Sequence, residues 1–371
     1  MNNGKLIAWI TPRCFVETDI YAIEALRNDY EIHWFIIDES NSLEYSEKIL
    51  DLSNEGVIIE KLILPGRNRS LKVLKFYWTL LWKIRKGNYQ LIYNAIFGMP
   101  FYMPLESFIL PKDKTVIALH NVTTPKGAKS SSFLSKLYTY FVAHSFVNYH
   151  TFSNSQCEIL RNIAKGKNVY NIPFFLKNYG TSHLRVPDEI TFLFFGQILE
   201  YKRLDVLIQA SENVYNKLNI PFKVKIAGSC SCWERYEKLI SHKELFELTI
   251  RRISNEEIPD LFATSHYFMM PYQDIAQSGA VIVAINYQLP IIVSKLPAFE
   301  EYIKDGKNGF LMNPADVKDL EEIMMDVLKN HALIYPSLKK GIQMTKNSCF
   351  TDSVIRKKYI EEFNQIIENH G

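Results

Sequence analysis

Two junctions in the C-terminal half are suited to hold an anion. In the first, an apolar run ends at Phe195, Gly196 opens a loop, and a helix pattern starts at Leu204, with Lys202 and Arg203 just before it. Glycine lets backbone approach a ligand closely. A helix start offers free N–H groups and the positive end of the dipole. In the second, His266–Tyr272 leads into a loop, and Ser278-Gly279 precede the apolar helix pattern Ala280–Tyr287. Ser278 suits the N-cap. Each junction alone also reads as an ordinary turn with solvated cations. Two in one half of the chain would clamp one diphosphate from both sides, which favours a nucleotide diphosphate as ligand.

Other chemistries find less support. Cys230-Ser-Cys232 has metal-clip spacing, but no second Cys/His pair lies nearby, and His242 alone is weak support. No metal site is expected. The odd total of five cysteines argues against a disulfide framework. No G-x-G-x-x-G follows a strand, which disfavours a nicotinamide enzyme. No carboxylate pair of glycosidase type is identifiable. The net charge of +3 gives no case for nucleic-acid binding.

The elements that must position these junctions alternate between strand and helix. Short β-branched and aromatic runs at 5–10, 31–37, 56–64, 90–96, 114–120 and 147–153 read as strands of a buried parallel sheet. Helix patterns at 20–27, 71–85 and 133–146 lie between them. The segment 177–189 is polar, is punctuated by Gly180 and Pro187, and reads as a linker. A second series follows, with strands at 191–197, 223–228, 266–272 and 290–294 and helices at 204–218, 233–240, 279–287 and 316–328. The tail 352–369 has a charged amphipathic helix pattern. The 371 residues fit about two domains. The expected fold is α/β: two Rossmann-like, doubly wound domains facing across a cleft, at 1–180 and 190–350. The helix 352–371 is expected to return to the first domain. Ligands of such sheets bind at the carboxyl ends of the strands.

The C-terminal half resembles family 4 retaining glycosyltransferases of the GT-B fold. The carriers are Gly196-Gln197 followed by Lys202-Arg203-Leu204-Asp205-Val206-Leu207-Ile208, then Ile226-Ala227-Gly228, and above all the run from Leu289 to Asp316 with its Glu-x-Ile-x-Asp-Gly core at 301–306. Together they cover most of 191–328. In the first half, Val116–His120-Asn121 looks like the family's strand ending in histidine, and Thr151–Ser155 and Asn171-Ile172-Pro173 are similar to later segments of that domain.

The resemblance implies transfer of a hexose-type sugar from a nucleotide-diphosphate donor to a hydroxyl of a glycan or lipid-linked acceptor, with retention and without a metal cofactor. Such chemistry suits bacterial-type surface polysaccharide assembly. It implies catalytic roles for His120 and Lys202. Donor contacts fall on Gly196, Gln197, Arg203, Gly228, Asp274, Gln277, Ser278, Gly279 and Ala280. Acceptor contacts fall on Arg13, Glu17, Asp19 and Asn121. Three departures stand out. The family's arginine after the glycine is Gln197, so Lys202 must carry more phosphate charge. The two glutamates that hold donor hydroxyls are replaced by Ile275 and Val283, with Asp274 one residue away. The family's glycine-rich first loop is replaced by Thr11–Asp19. These losses keep a second class open, a non-catalytic GT-B subunit or binding protein. An epimerase would need acid and base residues that are not in position.

Lys72, Lys75, Thr79, Lys83 and Lys86 form one helical stripe in an otherwise apolar and aromatic segment, with Arg67 and Arg69 upstream. This fits a helix at an anionic membrane surface. It also fits a helix packed on the sheet with a solvated basic edge. The segment 97–111 reads as an apolar-aromatic loop that could face lipid. The polar start and the short run 6–10 do not form a signal peptide. The expected location is the cytoplasm, in peripheral contact with the inner face of the membrane through 70–86.

Overall fold

The computed structural model describes residues 4–38, 46–67, 70–95, 102–122, 140–275 and 277–369. Two compact units emerge. One runs up to Phe175 and includes the helix Asp352–Glu368; the other spans Leu176–Thr351.

The first unit is built on a seven-stranded sheet of order β3 (Ile58–Ile63), β2 (Glu31–Asp38), β1 (Leu6–Pro12), β4 (Leu91–Asn94), β5 (Thr115–Leu119), β6 (Asn148–Thr151) and β7 (Asn168–Asn171), every described pairing parallel. Its strands β1 and β2 are mostly apolar and buried because helices cover both faces. Trp9 and Trp34 lie side by side in register and are fully buried. The helix Leu71–Lys86 is started by Ser70, whose hydroxyl accepts from the Val73 amide at 3.4 Å. It packs Val73, Tyr77, Leu80, Leu81 and Ile84 into the core. The segment expected as a loop at 97–111 instead contains a helix at Tyr102–Ile109, which buries Tyr102, Met103 and Ile109. Pro104 is tolerated because it sits in the helix's first turn, where its missing N–H leaves no gap.

The tail helix Asp352–Glu368 belongs to this unit. Tyr359 and Phe363 pack near Trp9, at ring separations of 6.3 and 6.2 Å. Arg356 forks onto Asp29 at 2.7 and 2.5 Å.

The second unit has a six-stranded parallel sheet of order β10 (Phe246–Thr249), β9 (Phe222–Ala227), β8 (Ile190–Phe195), β11 (Tyr267–Met270), β12 (Ile291–Ser294) and β13 (Gly309–Met312). Counted within the unit this is 3-2-1-4-5-6, so the strand order reverses between β8 (Ile190–Phe195) and β11 (Tyr267–Met270). Beyond the carboxyl ends of that strand pair an α/β sheet opens a ligand crevice. Elements of this unit outside the sequence expectations include β10 (Phe246–Thr249), β13 (Gly309–Met312), the short helix Pro297–Glu300 and the long helix His331–Cys349. The helix expected at 233–240 shrinks to Glu234–Glu237.

Candidate functional site

The carboxyl ends of β8, β9 (Phe222–Ala227) and β11 bring the two junctions together. β8 runs into Gly196, whose φ is 108°. Its amide donates to the Ala227 carbonyl at 2.9 Å, and the Ile198 amide donates to the Ser229 carbonyl at 2.9 Å. Gly228 crosses so closely that a Cβ there would lie 2.1 Å from the Gly196 carbonyl oxygen. No side chain fits at that crossing, and both loops are held with backbone toward the crevice.

Lys202 ends the short 3-10 turn Glu200–Lys202 that follows. Gly196 leaves room for its ammonium, which sits 3.3 Å from where a Cβ on Gly196 would be. The ammonium lies 5.5 Å from the centre of the Tyr272 ring. It has no carboxylate or hydrogen-bond partner among the described residues. Burial alone pushes its pKa down from 10.5 to about 8. A desolvated cation facing only a ring is poorly compensated, and an incoming anion would relieve it.

Its neighbour has the opposite fate. Arg203 turns into the left-handed region at φ 49° and forks onto Asp205 through three contacts of 2.8–3.1 Å. The structure thus commits Arg203, expected as a donor contact, to a local ion pair. Gln197 is exposed on the loop.

The β11 loop lies against the β8 loop, since the Gln273 amide donates to the Tyr201 carbonyl at 2.8 Å and the Tyr201 and Tyr272 rings meet edge to face. Asp274, Gln277, Ser278, Gly279 and Ala280 follow, all half-buried. Ser278 occupies the N-cap position of the helix Gly279–Asn286, but its side chain makes no cap hydrogen bond. The Oε1 atom of Gln277 is buried and has no partner among the described residues.

One cation was missed in the sequence. Lys177 begins the stretch expected as a linker, yet its ammonium lies 3.7 Å from where a Cβ on Gly279 would be. Its carbonyl is held by the Asn286 side chain at 3.0 Å, at the other end of the same helix. The lysine thus lies along the helix with its charge at the amino end. No sequence signal marks it, because the placement depends on the chain running back past this helix.

In the first unit, His120 follows β5 (Thr115–Leu119) and is 3 % exposed. Phe15 stacks on it at 3.5 Å and 8°, and Phe152 covers the other face at 4.4 Å. Arg13 and Glu17 are half-buried at the end of β1, and Asn121 is exposed. Arg13 lies 3.9 Å from Asp38. Asp19 is buried and accepts from the Thr11 hydroxyl at 2.6 Å, which in turn accepts from the Trp34 indole at 2.9 Å. Burial raises its pKa from 3.8 to about 7. It faces the core, so an acceptor contact does not fit its position.

Residues 179–347 match the family model for glycosyl transferases group 1. Over this part the chain is similar to the group 1 glycosyl transferases. An uncharacterized glycosyltransferase of Methanocaldococcus jannaschii is 22 % identical over 172 residues, covering 46 % of this chain and 47 % of its own. A poly(ribitol-phosphate) alpha-N-acetylglucosaminyltransferase of Staphylococcus aureus is 22 % identical over 207 residues, covering 53 % and 40 %. The matches thus span less than half the length of these relatives. The crystal structure of HepE from Anabaena, in complex with UDP, superposes with a TM-score of 0.75 at 15 % identity, covering 97 % of this chain and all of that one. At that identity the likeness speaks for the fold, and the fold is GT-B.

Proposed function

We propose that the chain transfers a hexose-type sugar, with retention, from a nucleotide-diphosphate donor to a hydroxyl of a glycan or lipid-linked acceptor, in surface polysaccharide assembly. The observation that carries this reading is Lys202: an ammonium pushed down to about 8, with only a tyrosine ring beside it, at the strand-order reversal of a group 1-like domain. Lys202, Lys177 and the amides at Gly279 would neutralise charge on the leaving diphosphate, so no metal ion is needed. The attacking hydroxyl would lose its proton to a phosphate oxygen, and positioning would supply most of the acceleration. His120 is the first unit's catalytic candidate, with Arg13, Glu17 and Asn121 on the acceptor side. Uridine is the first nucleotide to try, given the UDP in the HepE structure. A polymer acceptor fits the ribitol-phosphate polymer named for the staphylococcal relative.

The test is a panel of nucleotide sugars incubated with glycan and lipid-linked acceptors, with release of the free nucleotide followed by chromatography. Release from one donor that is lost in Lys202→Met supports the proposal. Tight nucleotide binding with no release from any donor would leave a non-catalytic binding unit instead.

A further inference from the structure

The exposed face of the helix Leu71–Lys86 is not a plain solvated edge. At 3.6 residues per turn, Trp78, Leu71, Lys75, Lys86, Thr79, Lys72 and Lys83 fall in that order around an arc of about 140°. All of them are exposed, Leu71 by 80 % and Trp78 by 46 %. The opposite side carries the five buried residues that hold the helix on the unit. The apolar residues needed for packing are therefore accounted for, and Leu71 and Trp78 are additional. Half-buried Trp82 falls inside the arc, between Leu71 and Lys75, its ring 6.1 Å from that of Trp78.

The charges on this face are of one sign. Lys83 pairs with Glu60 at 2.6 Å. Lys72 and Lys75 have no carboxylate partner among the described residues. Between the helix and the edge strand β3 (Ile58–Ile63) runs a groove of about 470 Å³ lined by Leu62, Phe76 and Leu80, by Lys72, Lys75 and Lys83, and by Glu60. On the strand beside it Ile58 and Ile63 are 55 % and 51 % exposed. No described helix is long and apolar enough to cross a membrane.

We propose that this face docks on an anionic membrane surface, with Leu71 and Trp78 entering the headgroup layer and Lys72, Lys75 and Lys86 over lipid phosphates. Cationic side chains beside an indole and an aliphatic chain match the layered chemistry of that surface, negative outside and apolar beneath. A soluble polyanion would use the lysines but leave Leu71 and Trp78 in water. The proposal concerns where the chain sits and does not rest on the transfer reading.

The test is co-sedimentation of the full chain with vesicles of phosphatidylcholine alone or mixed with phosphatidylglycerol, together with quenching of tryptophan by brominated lipid. The chain should sediment with the mixed vesicles and release at high salt. Each lysine contributes about fivefold to the partition constant, so Lys72→Ala with Lys75→Ala should weaken binding about 25-fold. Both side chains are exposed and unpaired with acids, so the variant should keep its thermal midpoint. Brominated lipid should quench the chain, and Trp78→Phe should reduce that quenching, Trp82 on the same face carrying the rest. Equal binding by wild type and the double variant would overturn the proposal, as would failure to bind either vesicle. Binding without lipid quenching would mean attraction to charge alone and would also overturn it.

Discussion

Replacing Lys202 by methionine keeps the length and apolar stem of the side chain and removes its charge. A hydrogen bond to a charged partner contributes about 1.5–3 kcal/mol, so UDP should bind about 10- to 150-fold more weakly. A pH profile separates this from a general loosening of the site. Lys202 has its pKa lowered from 10.5 to about 8 by burial. Its charged form is disfavoured in the folded chain, so the unfolded chain holds the proton more tightly. The unliganded chain should therefore gain stability as pH rises from about 8 towards 10.5. Nucleotide affinity should move the other way. The ammonium is about nine-tenths protonated at pH 7 and about one-tenth at pH 9, which weakens binding about tenfold. The phosphate's own ionisation, with a second pKa near ~6, is about nine-tenths complete at pH 7 and changes little above it.

Calorimetry of UDP binding at pH 7, 8 and 9 in buffers of different ionisation enthalpy would read both effects. Proton uptake on binding should peak between pH 8 and 9 and vanish in Lys202→Met. A flat wild-type profile, or the same slope in the variant, would refute the role of Lys202.

Lys177→Ala should weaken UDP about fivefold, corresponding to the ~1 kcal/mol upper end for a partly exposed charge pair; unchanged affinity would remove it from the site. Gly228→Ala should cost more than ~2 kcal/mol in urea unfolding, because the new methyl meets the Gly196 carbonyl. The control Gly306→Ala, at φ 66° with nothing within 4 Å, should cost only about 1 kcal/mol. His120→Ala should abolish transfer while UDP affinity holds, and parallel loss of both would argue for a structural role. Asp19 has its pKa raised to about 7, so the stability its neutral form supplies is present at low pH and lost as pH climbs from 3.8 through 7. Asp19→Asn should match wild type near pH 4 and exceed it by a few kcal/mol at pH 8; equal urea midpoints at pH 8 would contradict this.

The sequence showed the fold wherever burial is uniform. β1, β2 and β8 are short, mostly apolar runs because helices sandwich the sheet. β10 was illegible because it is four residues at a sheet edge with Glu247 and Leu248 exposed. The helix His331–Cys349 was illegible because Pro336 and Gly341 read as breakers. At the site, Gly196 and Gly228 were legible because the turn chemistry is local. Asp19 was misread because a carboxylate in a polar stretch gives no sign that its helix turns it inward onto Thr11.

Lys202 and Arg203 show where local reading stops. As adjacent cations before a helix they are equivalent in the sequence. The left-handed turn at Arg203 aims its guanidinium at Asp205, in the first turn of the helix Leu204–Lys217. That pair fixes the turn and leaves Lys202 over Gly196, facing the Tyr272 ring. A compact ammonium fits there because Gly196 has no side chain. A forked guanidinium would need a wider gap and several acceptors. Lys202→Arg should therefore fail to rescue nucleotide binding although it restores the charge. Full rescue would mean that net charge, and not the fit of the ammonium against Gly196, holds the diphosphate.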